Sequence, residues 1–535
     1  MTATIGLLAA CGGGESSVPT PPVVPPVTPP TELTQDYRSS GRAAAGDVFV
    51  HLFEWRWPDI ARECEVWLGP KGYKAVQISP PSEHAIITSG GAFHPWWQRY
   101  QTVSYKLDRS RSGTSAELAQ MVSRCRAVGV EIYADVVINH MTAGSGIGSA
   151  GSAYTKYSYP AVPFSVADFH SPCGIDSYNN LFQVQNCELV GLADLRTEDA
   201  TVRETIGNYL VALNALGIAG FRVDAAKHVA PRDLEAILTR VNAAAATAGR
   251  SRPYVFLEII NNAGEAVTPP PYYGVGYASG GATDVSDFQY GYRLTDAFSG
   301  RNGGTINGVT LQAPGSLPSD KSVVFVDNHD NQRGDNLYYA STSYELAVIF
   351  MLAHPQGYPS IMSSYGFDRT TLSGRDAGPP AAGIGITAST FDPAGASRCS
   401  ALLGSVQAST WICEHRRPAI ANMVAFRKAA VGTPMSNCGR TSASIDGDPN
   451  RIALCRDGAG FVAFNRTATA VVATLPTTLA AGSYCDVVQF EFSAASSGRA
   501  GSCSGMALVV RTSGEATVTV PANGAVALHR NARLD

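Results

Sequence analysis

The sequence of 535 residues lacks a strong excess of charge of either sign. It has 40 Lys and Arg residues against 44 Asp and Glu residues, for a formal net charge of -4. Nucleic acids and anionic membranes attract proteins with concentrated basic charge, so neither is an expected partner. Long apolar runs are also absent, because none approaches the roughly 20 residues that a membrane-spanning helix needs.

The cysteines lack the spacing of a zinc site. The chain has 11 cysteines, but no CxxC pair and no Cys/His cluster. Ten of them form plausible close pairs in the sequence, which indicates disulfides and an oxidising, extracytoplasmic compartment, although the pattern leaves the connectivity open. The candidate pairs are Cys64–Cys125, Cys173–Cys187, Cys399–Cys413, Cys438–Cys455 and Cys485–Cys503.

The eleventh cysteine, Cys11, lies in "GLLAACGGGESS". This stretch resembles a bacterial lipoprotein cleavage box, in which the cysteine becomes a lipid-anchored N-terminus, although no Lys or Arg precedes it. An ordinary secretory signal or a truncated start is the alternative. The Pro-rich run "VPTPPVVPPVTPPTELT" (18–34) then predicts an extended linker, so we assign residues 1–44 to a signal segment and linker. We expect the protein to be secreted or tethered to the bacterial cell surface.

Short apolar runs alternate with helix-forming stretches along the next four hundred residues. Stretches such as 115–129 and 199–217 have the composition of helices. Alternation of this kind predicts a parallel sheet covered by helices, and eight such units predict an α/β fold of the (β/α)8 TIM-barrel type. The predicted strands are 47–55, 74–81, 130–140, 220–228, 254–260, 283–290, 322–330 and 358–367.

The predicted barrel is longer than the usual barrel of about 250 residues, so insertions are expected. We assign 45–140 and 199–433 to the barrel, and 141–198 to an irregular subdomain inserted after strand 3. From residue 434 to residue 535, short alternating strands predict a C-terminal all-β sandwich. We expect a monomer.

Polar residues follow the predicted strands, where the catalytic groups of a barrel lie. They are Glu54, Asn139, His140, Asp224, His228, Glu258, Asp327, His329 and Asp330. Glycoside hydrolases use a pair of carboxyl groups at such a place, so the pattern favours this reaction. For Arg222 and Asp224 the alternative is a purely structural ion pair. Arg222 would keep Asp224 ionised, and the apolar setting of Glu258 in "FLEII" would raise its pKa so that it holds a proton.

Strand alternation in "GFRVDAAKH" (220–228) places Arg222, Asp224 and His228 on one face, opposite Phe221, Val223 and Ala225.

An aromatic cluster and a set of oxygen ligands add to these carboxylates. Trp96, Trp97 and Tyr100 in "FHPWWQRYQ" (93–101) could line a polysaccharide groove, although aromatic core packing is the alternative. Asn139, Asp194 and the backbone near His228 could supply the oxygen ligands that Ca²⁺ prefers.

Eight segments, in order, resemble the alpha-amylase family, and most of all the branch shared by animal and some secreted bacterial enzymes. The resemblance is dense over roughly 47–430 and looser in the sandwich. The segments are "VHLFEWRW", "VQISPPSEHAI", "PWWQRYQTVSYKL", "IYADVVINHM", "GFRVDAAKH", "FVDNHDNQRG", "MLAHPQGYPSIMSSY" and "CEHRRPAIANMVAFR". The resemblance implies a retaining endo-hydrolase of α-1,4-glucans such as starch and glycogen, with Asp224 as nucleophile, Glu258 as general acid/base and Asp330 as transition-state stabiliser.

The resemblance also implies the substrate and metal contacts. His140 and His329 would hydrogen-bond the sugar at the cleavage site, and Arg222 would orient the nucleophile. Trp97 and Tyr100 would stack on glucose units, while Lys227 and His228 would touch the leaving-side sugar. The implied calcium ligands are the side chains of Asn139 and Asp194 and the carbonyls of Gln185 and His228.

Two departures from the family pattern matter. Animal-type relatives bind an activating chloride through the equivalents of Arg222 and Asn328 and a third, basic residue, but Ser360 occupies that third position here. We therefore predict activity that is largely independent of chloride. The Gly-rich loop of animal relatives is replaced by "GDNLYYASTS" (334–343), where Tyr338 or Tyr339 would line the substrate groove instead.

Two other functions fit the same fold. One is a maltooligosaccharide-forming or transglycosylating α-glucan enzyme. The other is a non-catalytic, surface glucan-binding protein, against which the presence of all three carboxylates argues.

Overall fold

The computed structural model describes residues 36–88, 94–310, 314–383, 385–399, 410–495 and 500–535. The predictions made for residues 1–35, including the lipid anchor at Cys11, lie outside this part of the chain. Within it, no helix is both long enough and apolar enough to cross a membrane.

Eight parallel strands close into a barrel, as predicted. Each strand pairs with its neighbours in the chain, and the last strand pairs with the first. In this register Arg222 on the fourth strand lies beside Asp135 on the third. The barrel strands are β1 (Phe49–Leu52), β2 (Ala75–Ile78), β3 (Glu131–Val136), β4 (Gly220–Val223), β5 (Tyr254–Leu257), β6 (Thr283–Ser286), β7 (Ser322–Val324) and β8 (Tyr358–Ser363).

Helices cover the outside of the barrel, and three of the main ones begin at side-chain caps. Thr114 and Glu117 form a reciprocal capping box at the start of the second helix, and Asp287 caps the fifth. The main helices are α1 (Trp57–Glu63), α2 (Ser115–Ala127), α3 (Ala200–Leu216), α4 (Pro231–Thr247), α5 (Phe288–Ser299), α6 (Tyr344–Ala353) and α7 (Pro418–Ala429). Shorter helices are Gly69–Lys71, Leu181–Asn186 and Leu372–Asp376.

The barrel strands end earlier than the apolar runs predicted, and β4 shows why. Ala225 has a left-handed backbone with φ of 50°, and a single helical turn then covers Ala226–His228. The alternation predicted through residue 228 is confirmed at Asp224 but is wrong from Ala225 onward, because the left-handed backbone of Ala225 changes the direction of the side chains. Ala225 faces the mouth of the barrel instead of the helices, and its N–H donates to Glu258 Oε2 at 2.8 Å.

The segment predicted as an insertion leaves the barrel after β3 and contains little regular structure. Its strands are Ser145–Ile147 and Ala153–Thr155, which pair with each other, and Ala193–Asp194, which pairs with His140–Met141. The last pair joins both ends of the segment next to the end of β3.

The C-terminal part forms two four-stranded antiparallel sheets, and the all-β character predicted for it is confirmed. The strands of this part are β9 (Met435–Ser436), β10 (Arg451–Arg456), β11 (Gly460–Asn465), β12 (Val471–Pro476), β13 (Gly482–Cys485), β14 (Ala507–Val510), β15 (Glu515–Val520) and β16 (Gly524–His529). The first sheet has the order β9–β10–β11–β16 and the second β12–β15–β14–β13. Two-residue and three-residue pairs elsewhere are Glu83–His84 with Thr102–Ser104, Arg109–Ser110 with Gly113–Thr114, Ala381–Gly383 with Ile386–Thr387, and Phe492–Ser493 with Ser502–Cys503.

All five predicted cysteine pairs form disulfides: Cys64–Cys125, Cys173–Cys187, Cys399–Cys413, Cys438–Cys455 and Cys485–Cys503. Their presence agrees with the predicted oxidising compartment.

Candidate active site

A single buried guanidinium gathers the carboxylates at the mouth of the barrel. Arg222 Nη1 lies 2.8 Å from Asp224 Oδ1 and 2.7 Å from Asp135 Oδ1. Its Nη2 lies 2.6 Å from Glu258 Oε1. Asp224 and Glu258 directly follow the neighbouring strands β4 and β5, so the barrel register itself places them together.

The environment raises the pKa of each predicted catalytic carboxylate. Burial raises the pKa of Asp224, and the charge of Arg222 opposes that rise, which leaves the pKa at about 6. Because this value lies below 7, Asp224 is mostly ionised at neutral pH. Burial also raises the pKa of Glu258; Arg222 opposes this and the charge of Asp224 reinforces it. Both carboxyl groups contact the guanidinium of Arg222, so a proton held by one of them favours the ionised form of the other.

Asp330 shares this field but remains open to water. Enclosure in the cleft and the charge of Glu258 raise the pKa of Asp330, and Arg222 opposes them. Its side chain is 40% exposed, however, so solvent screens these charges. An exposed carboxylate beside two buried ones is well placed to meet a developing positive charge in a bound substrate.

A cavity of about 450 Å³ holds the three carboxylates. The predicted Trp96, Trp97, Tyr100, His140 and His329 all line it. Tyr100 stacks on His329 with ring centroids 5.0 Å apart, so one face of Tyr100 is already occupied.

The two predicted histidines are neutral at physiological pH. Burial lowers the pKa of His140 to about 4 and holds that of His329 well below its usual range. His140 Nε2 lies 3.0 Å from the carbonyl of Tyr100, and Asn139 Nδ2 lies 3.3 Å from its Nδ1. Both ring nitrogens of His140 thus have protein partners before any sugar binds.

Lys227 and His228 lie beside the cavity and are held by the protein. Lys227 Nζ donates to the carbonyl of Ile260 and to Glu265 Oε2, at 2.8 and 2.7 Å. His228 Nδ1 lies 2.7 Å from the carbonyl of Val184, in the inserted segment. Their contact with the leaving-side sugar stays a prediction.

The predicted calcium ligands are brought together by two contacts. The short antiparallel pair places Asp194 opposite His140, next to Asn139, and the His228–Val184 contact brings Gln185 close to His228. Burial raises the pKa of Asp194 to about 6, and His170 Nδ1, at 2.7 Å, partly offsets it. Among the described residues, no three histidine, cysteine or carboxylate side chains converge on a metal site. The predicted set has one carboxylate only, and its remaining donors are an amide and two carbonyls.

Several functional residues were missed by the sequence reasoning. Asp135 accepts from both Arg222 and the hydroxyl of Tyr100, which lies 2.9 Å from its Oδ2. An acidic residue inside the apolar run "IYADVV" was the available signal. Leu189, Val190 and Leu192 of the inserted segment also line the cavity, and Val190 is 87% exposed.

Arg333 is a further residue that the sequence did not reveal. Its guanidinium lies 4.8 Å from the ring of Trp96 and 4.4 Å from that of Phe367, and it donates to the carbonyl of His329. It therefore ties the turn after β7 to the aromatic wall of the cleft.

Glu54, Asp327 and Tyr339 were also marked by the sequence, and they are not among the residues that line the cavity. Glu54 forms a buried ion pair with Arg99 at 2.9 Å, and Asp327 accepts from the hydroxyl of Tyr344 at 3.0 Å. Tyr339 is buried, and its hydroxyl accepts from the N–H of Phe367. The sequence could not separate strand-end residues that face the cleft from those that support it.

Beneath the carboxylates, inside the barrel, Arg222, Asn328 and Ser360 line a second cavity of about 20 Å³. These are the three positions that the resemblance assigned to chloride binding. The hydroxyl of Ser360 adds no second positive charge there.

Comparisons with known proteins agree with this geometry. Residues 72–267 match the family model described as alpha amylase, catalytic domain, and residues 444–531 match alpha amylase, C-terminal all-beta domain. An alpha-amylase of Thermomonospora curvata is 45% identical over 492 residues, covering 90% of this chain and 73% of that protein. An alpha-amylase of Tribolium castaneum is 44% identical over 510 residues, covering 92% and 96%.

Solved structures are also similar. Wild-type alpha-amylase I of Eisenia fetida superposes with a TM-score of 0.78 at 36% identity, covering 93% of this chain and 99% of that one. A glutamate-to-glutamine mutant of that enzyme, in complex with maltohexaose, has a TM-score of 0.79 at the same identity and coverage.

A closed (β/α)8 barrel whose mouth carries clustered carboxylates and an aromatic wall defines a glycoside hydrolase. By these similarities in sequence and structure, the chain belongs to the alpha-amylase family.

Proposed function

We propose that this protein hydrolyses internal α-1,4-glucosidic bonds of starch, glycogen and related glucans with retention of configuration. The observation that carries the proposal is the pairing of Asp224 and Glu258 on one buried guanidinium, in a cleft lined by aromatic rings. Two carboxyl groups that share one guanidinium are placed to act as the nucleophile and the general acid of a retaining enzyme. Membership of the alpha-amylase family supports the glucan substrate and endo-action.

The geometry supports a double displacement. Asp224, kept ionised by Arg222, attacks the anomeric carbon, while Glu258 gives its proton to the departing glycosidic oxygen. Glu258 then takes a proton from water, which attacks the same carbon and frees Asp224. Asp330 stabilises the positive charge that develops on the sugar ring in both steps.

The chain's own residues fit a bound calcium ion at the junction of barrel and insertion. Asn139 and Asp194 would bind it through side-chain oxygens, and Gln185 and His228 through carbonyls. Hard oxygen donors suit Ca²⁺, and a buried carboxylate with a raised pKa gains from a nearby cation. The ion would hold the insertion, with its cleft residues Leu189, Val190 and Leu192, against the barrel.

Glu258→Gln tests the catalytic assignment. The amide cannot donate a carboxylic proton, so hydrolysis of a blocked maltooligosaccharide should fall by roughly 10²- to 10⁴-fold. Glu235→Gln is the matched control, because Glu235 is also buried with a raised pKa but accepts from Gly276 N–H outside the cleft. Hydrolysis by Glu258→Gln at the control's rate would refute the mechanism.

The anomer released separates retention from inversion. The α-anomer should appear first in an NMR time course, whereas initial β-anomer would exclude the covalent route through Asp224. The product profile on soluble starch distinguishes the endo-hydrolase from a maltooligosaccharide-forming or transglycosylating enzyme, which would yield one short product or longer chains.

We further propose that the enzyme works outside the cytoplasm as a monomer, tethered to the bacterial cell surface by lipidated Cys11. Its disulfides support the compartment, and the stretch "GLLAACGGGESS" supports the anchor. Cys11→Ser should move the enzyme from the membrane fraction to the medium. We retain 45–140 and 199–433, 141–198, and 434–535 as the proposed barrel, insertion and sandwich.

A further inference from the structure

We propose that residues 37–42 clamp the N-terminal tether to the floor of the barrel, so that the anchored enzyme turns its cleft away from the anchoring surface. This inference rests on the proposed anchoring at Cys11. It concerns a contact surface that the hydrolytic mechanism does not use.

Arg42 is the centre of the clamp. Its Nη2 lies 2.8 Å from Glu131 Oε2, and its guanidinium lies 5.4 Å from the ring of Tyr254 and 6.0 Å from that of Tyr133. A guanidinium that contacts a carboxylate and two aromatic rings is held in one position by three partners. Burial by itself would lower the pKa of Arg42. The carboxylate and the tyrosine rings around the guanidinium outweigh this effect and raise the pKa above its ordinary value.

Lys321 shows that the segment is an integral part of the floor. The side chain of Lys321 is fully buried, and its Nζ donates to the carbonyl of Arg38 at 2.6 Å and to that of Thr283 at 3.0 Å. The ring of Tyr37 lies 4.3 Å from the same Nζ. Without residues 37 and 38, this ammonium would lose one of its acceptors and its aromatic cover.

The partners of the segment lie at the starts of barrel strands. Glu131 begins β3, Tyr254 begins β5, and Lys321 directly precedes β7. A further contact joins the hydroxyl of Ser40 to Asp284 Oδ2, at 2.6 Å, near the start of β6. The catalytic carboxylates follow the ends of β4, β5 and β7. In a parallel barrel the strand starts and the strand ends lie at opposite ends of the barrel. The partners of the clamp are therefore on the face opposite the catalytic carboxylates, and we infer that the tether leaves from that face.

This arrangement matters for a polymeric substrate. A glucan chain or granule must approach the cleft from outside, and an anchoring surface on the same side would obstruct it. A clamp on the floor places residues 37–42 on the side of the barrel opposite the cleft.

Single-site immobilisation tests the orientation. Ser39→Cys, in the clamp, and Leu372→Cys, near the cleft, are each made in the Cys11→Ser background, so that each protein has one thiol outside the disulfides. Leu372 is 68% exposed, and its short helix lies at the rim, because the carbonyl of Arg375 accepts from Trp96 Nε1 at 3.1 Å. Each thiol is coupled to a bead through a short biotin linker. Hydrolysis of high-molecular-weight starch and of a blocked maltooligosaccharide is compared with that of the free protein.

Protein attached at residue 39 should keep the starch-to-oligosaccharide rate ratio of the free enzyme. Attachment at residue 372 should lower that ratio several-fold. If attachment at residue 39 lowered the ratio as much as attachment at residue 372, the inference would be overturned. If the free proteins did not hydrolyse the oligosaccharide, the proposed function would be refuted instead.

Hydrogen exchange tests the clamp itself in the full-length chain. Arg42→Ala should accelerate exchange of the amides of Ala45 and Gly46, which donate to Gly41 and Ala43 in the turn that Arg42 anchors. Arg38→Ala is the control, since the Arg38 guanidinium makes an exposed contact with the carbonyl of Gly280 at 3.3 Å. Equal exchange in the two variants would overturn the role of Arg42.

Discussion

Arg222 carries one positive charge, and three carboxylates lie within 2.8 Å of it: Asp135, Asp224 and Glu258. One guanidinium cannot compensate three buried negative charges, so the cluster favours holding a proton near neutral pH. That proton is what a general acid requires. The electrostatics of the cluster thus produce both a base and an acid from chemically similar residues.

Asp135 should tune this cluster without touching substrate. The charge of Asp135 raises the pKa of Asp224, so Asp135→Asn should lower that pKa. The nucleophile must be ionised, and the acid limb of the kcat/KM profile should therefore move to lower pH. Asp284→Asn, a buried aspartate at the barrel floor, should leave the limb in place. An unchanged or upward-shifted limb in Asp135→Asn would contradict this role.

Ser360 predicts how the enzyme responds to chloride. The small cavity beside Arg222 lacks a second cation at this position, and Arg222 already has carboxylate partners. Replacing chloride with acetate at constant ionic strength should leave kcat/KM essentially unchanged. A steep loss of activity, restored by added chloride, would show that Arg222 and Asn328 suffice to bind the ion.

At the scale of elements, the cleft depends on how the insertion is attached to the barrel. The short pair of His140–Met141 with Ala193–Asp194 carries both a cleft histidine and the proposed calcium carboxylate. Three side chains of the insertion line the cleft, so a shift of the insertion would change substrate binding.

Calcium removal should loosen this attachment. A ligand that binds only the folded state stabilises it, so a chelator should lower the melting temperature and expose the insertion to protease. Asp194→Asn should melt at a lower temperature than the wild type, and a chelator should not lower its melting temperature further. Asp168→Asn, which removes a capping carboxylate elsewhere in the insertion, should keep the wild-type response. If Asp194→Asn still responded fully to chelation, the ion would lie elsewhere.

At the scale of the whole molecule, barrel and sandwich share a continuous apolar core. Phe464 on β11 contacts Phe298 of α5 and Phe350 of α6, with ring centroids 6.4 and 5.7 Å apart. In addition, Arg456 of β10 donates to the carbonyl of Ala353 at the end of α6. These contacts couple the stability of the two parts.

Phe464→Ala should therefore destabilise the whole chain. Loss of a buried phenylalanine typically costs about 3–5 kcal/mol, and calorimetry should show one cooperative transition moving to lower temperature. Val472→Ala, at a position that is 66% exposed in the sandwich, should change stability by less than about 0.5 kcal/mol. Two separated transitions, with only one displaced, would contradict the coupling.

Much of the fold was predictable because hydrophobic periodicity depends on neighbours in the chain. All eight barrel strands lie within their predicted runs, and α2 and α3 match the predicted helices to within two residues. The ends of the strands were overestimated because apolar residues continue into the turns. At Ala225 the left-handed turn is accompanied by a contact with Glu258, which lies 33 positions away in the sequence.

The sequence by itself determined the fold class, the paired cysteines and the identity of the carboxylates at the barrel mouth. These depend on local alternation, on residue chemistry and on resemblance, all of which a linear chain displays. Only the tertiary structure decided which strand-end acids face the cleft, that Asp135 and Arg333 support it, and that residues 37–42 pack against the barrel floor. The physical reason is that burial and charge proximity are set by distances across the barrel, between residues far apart in the chain.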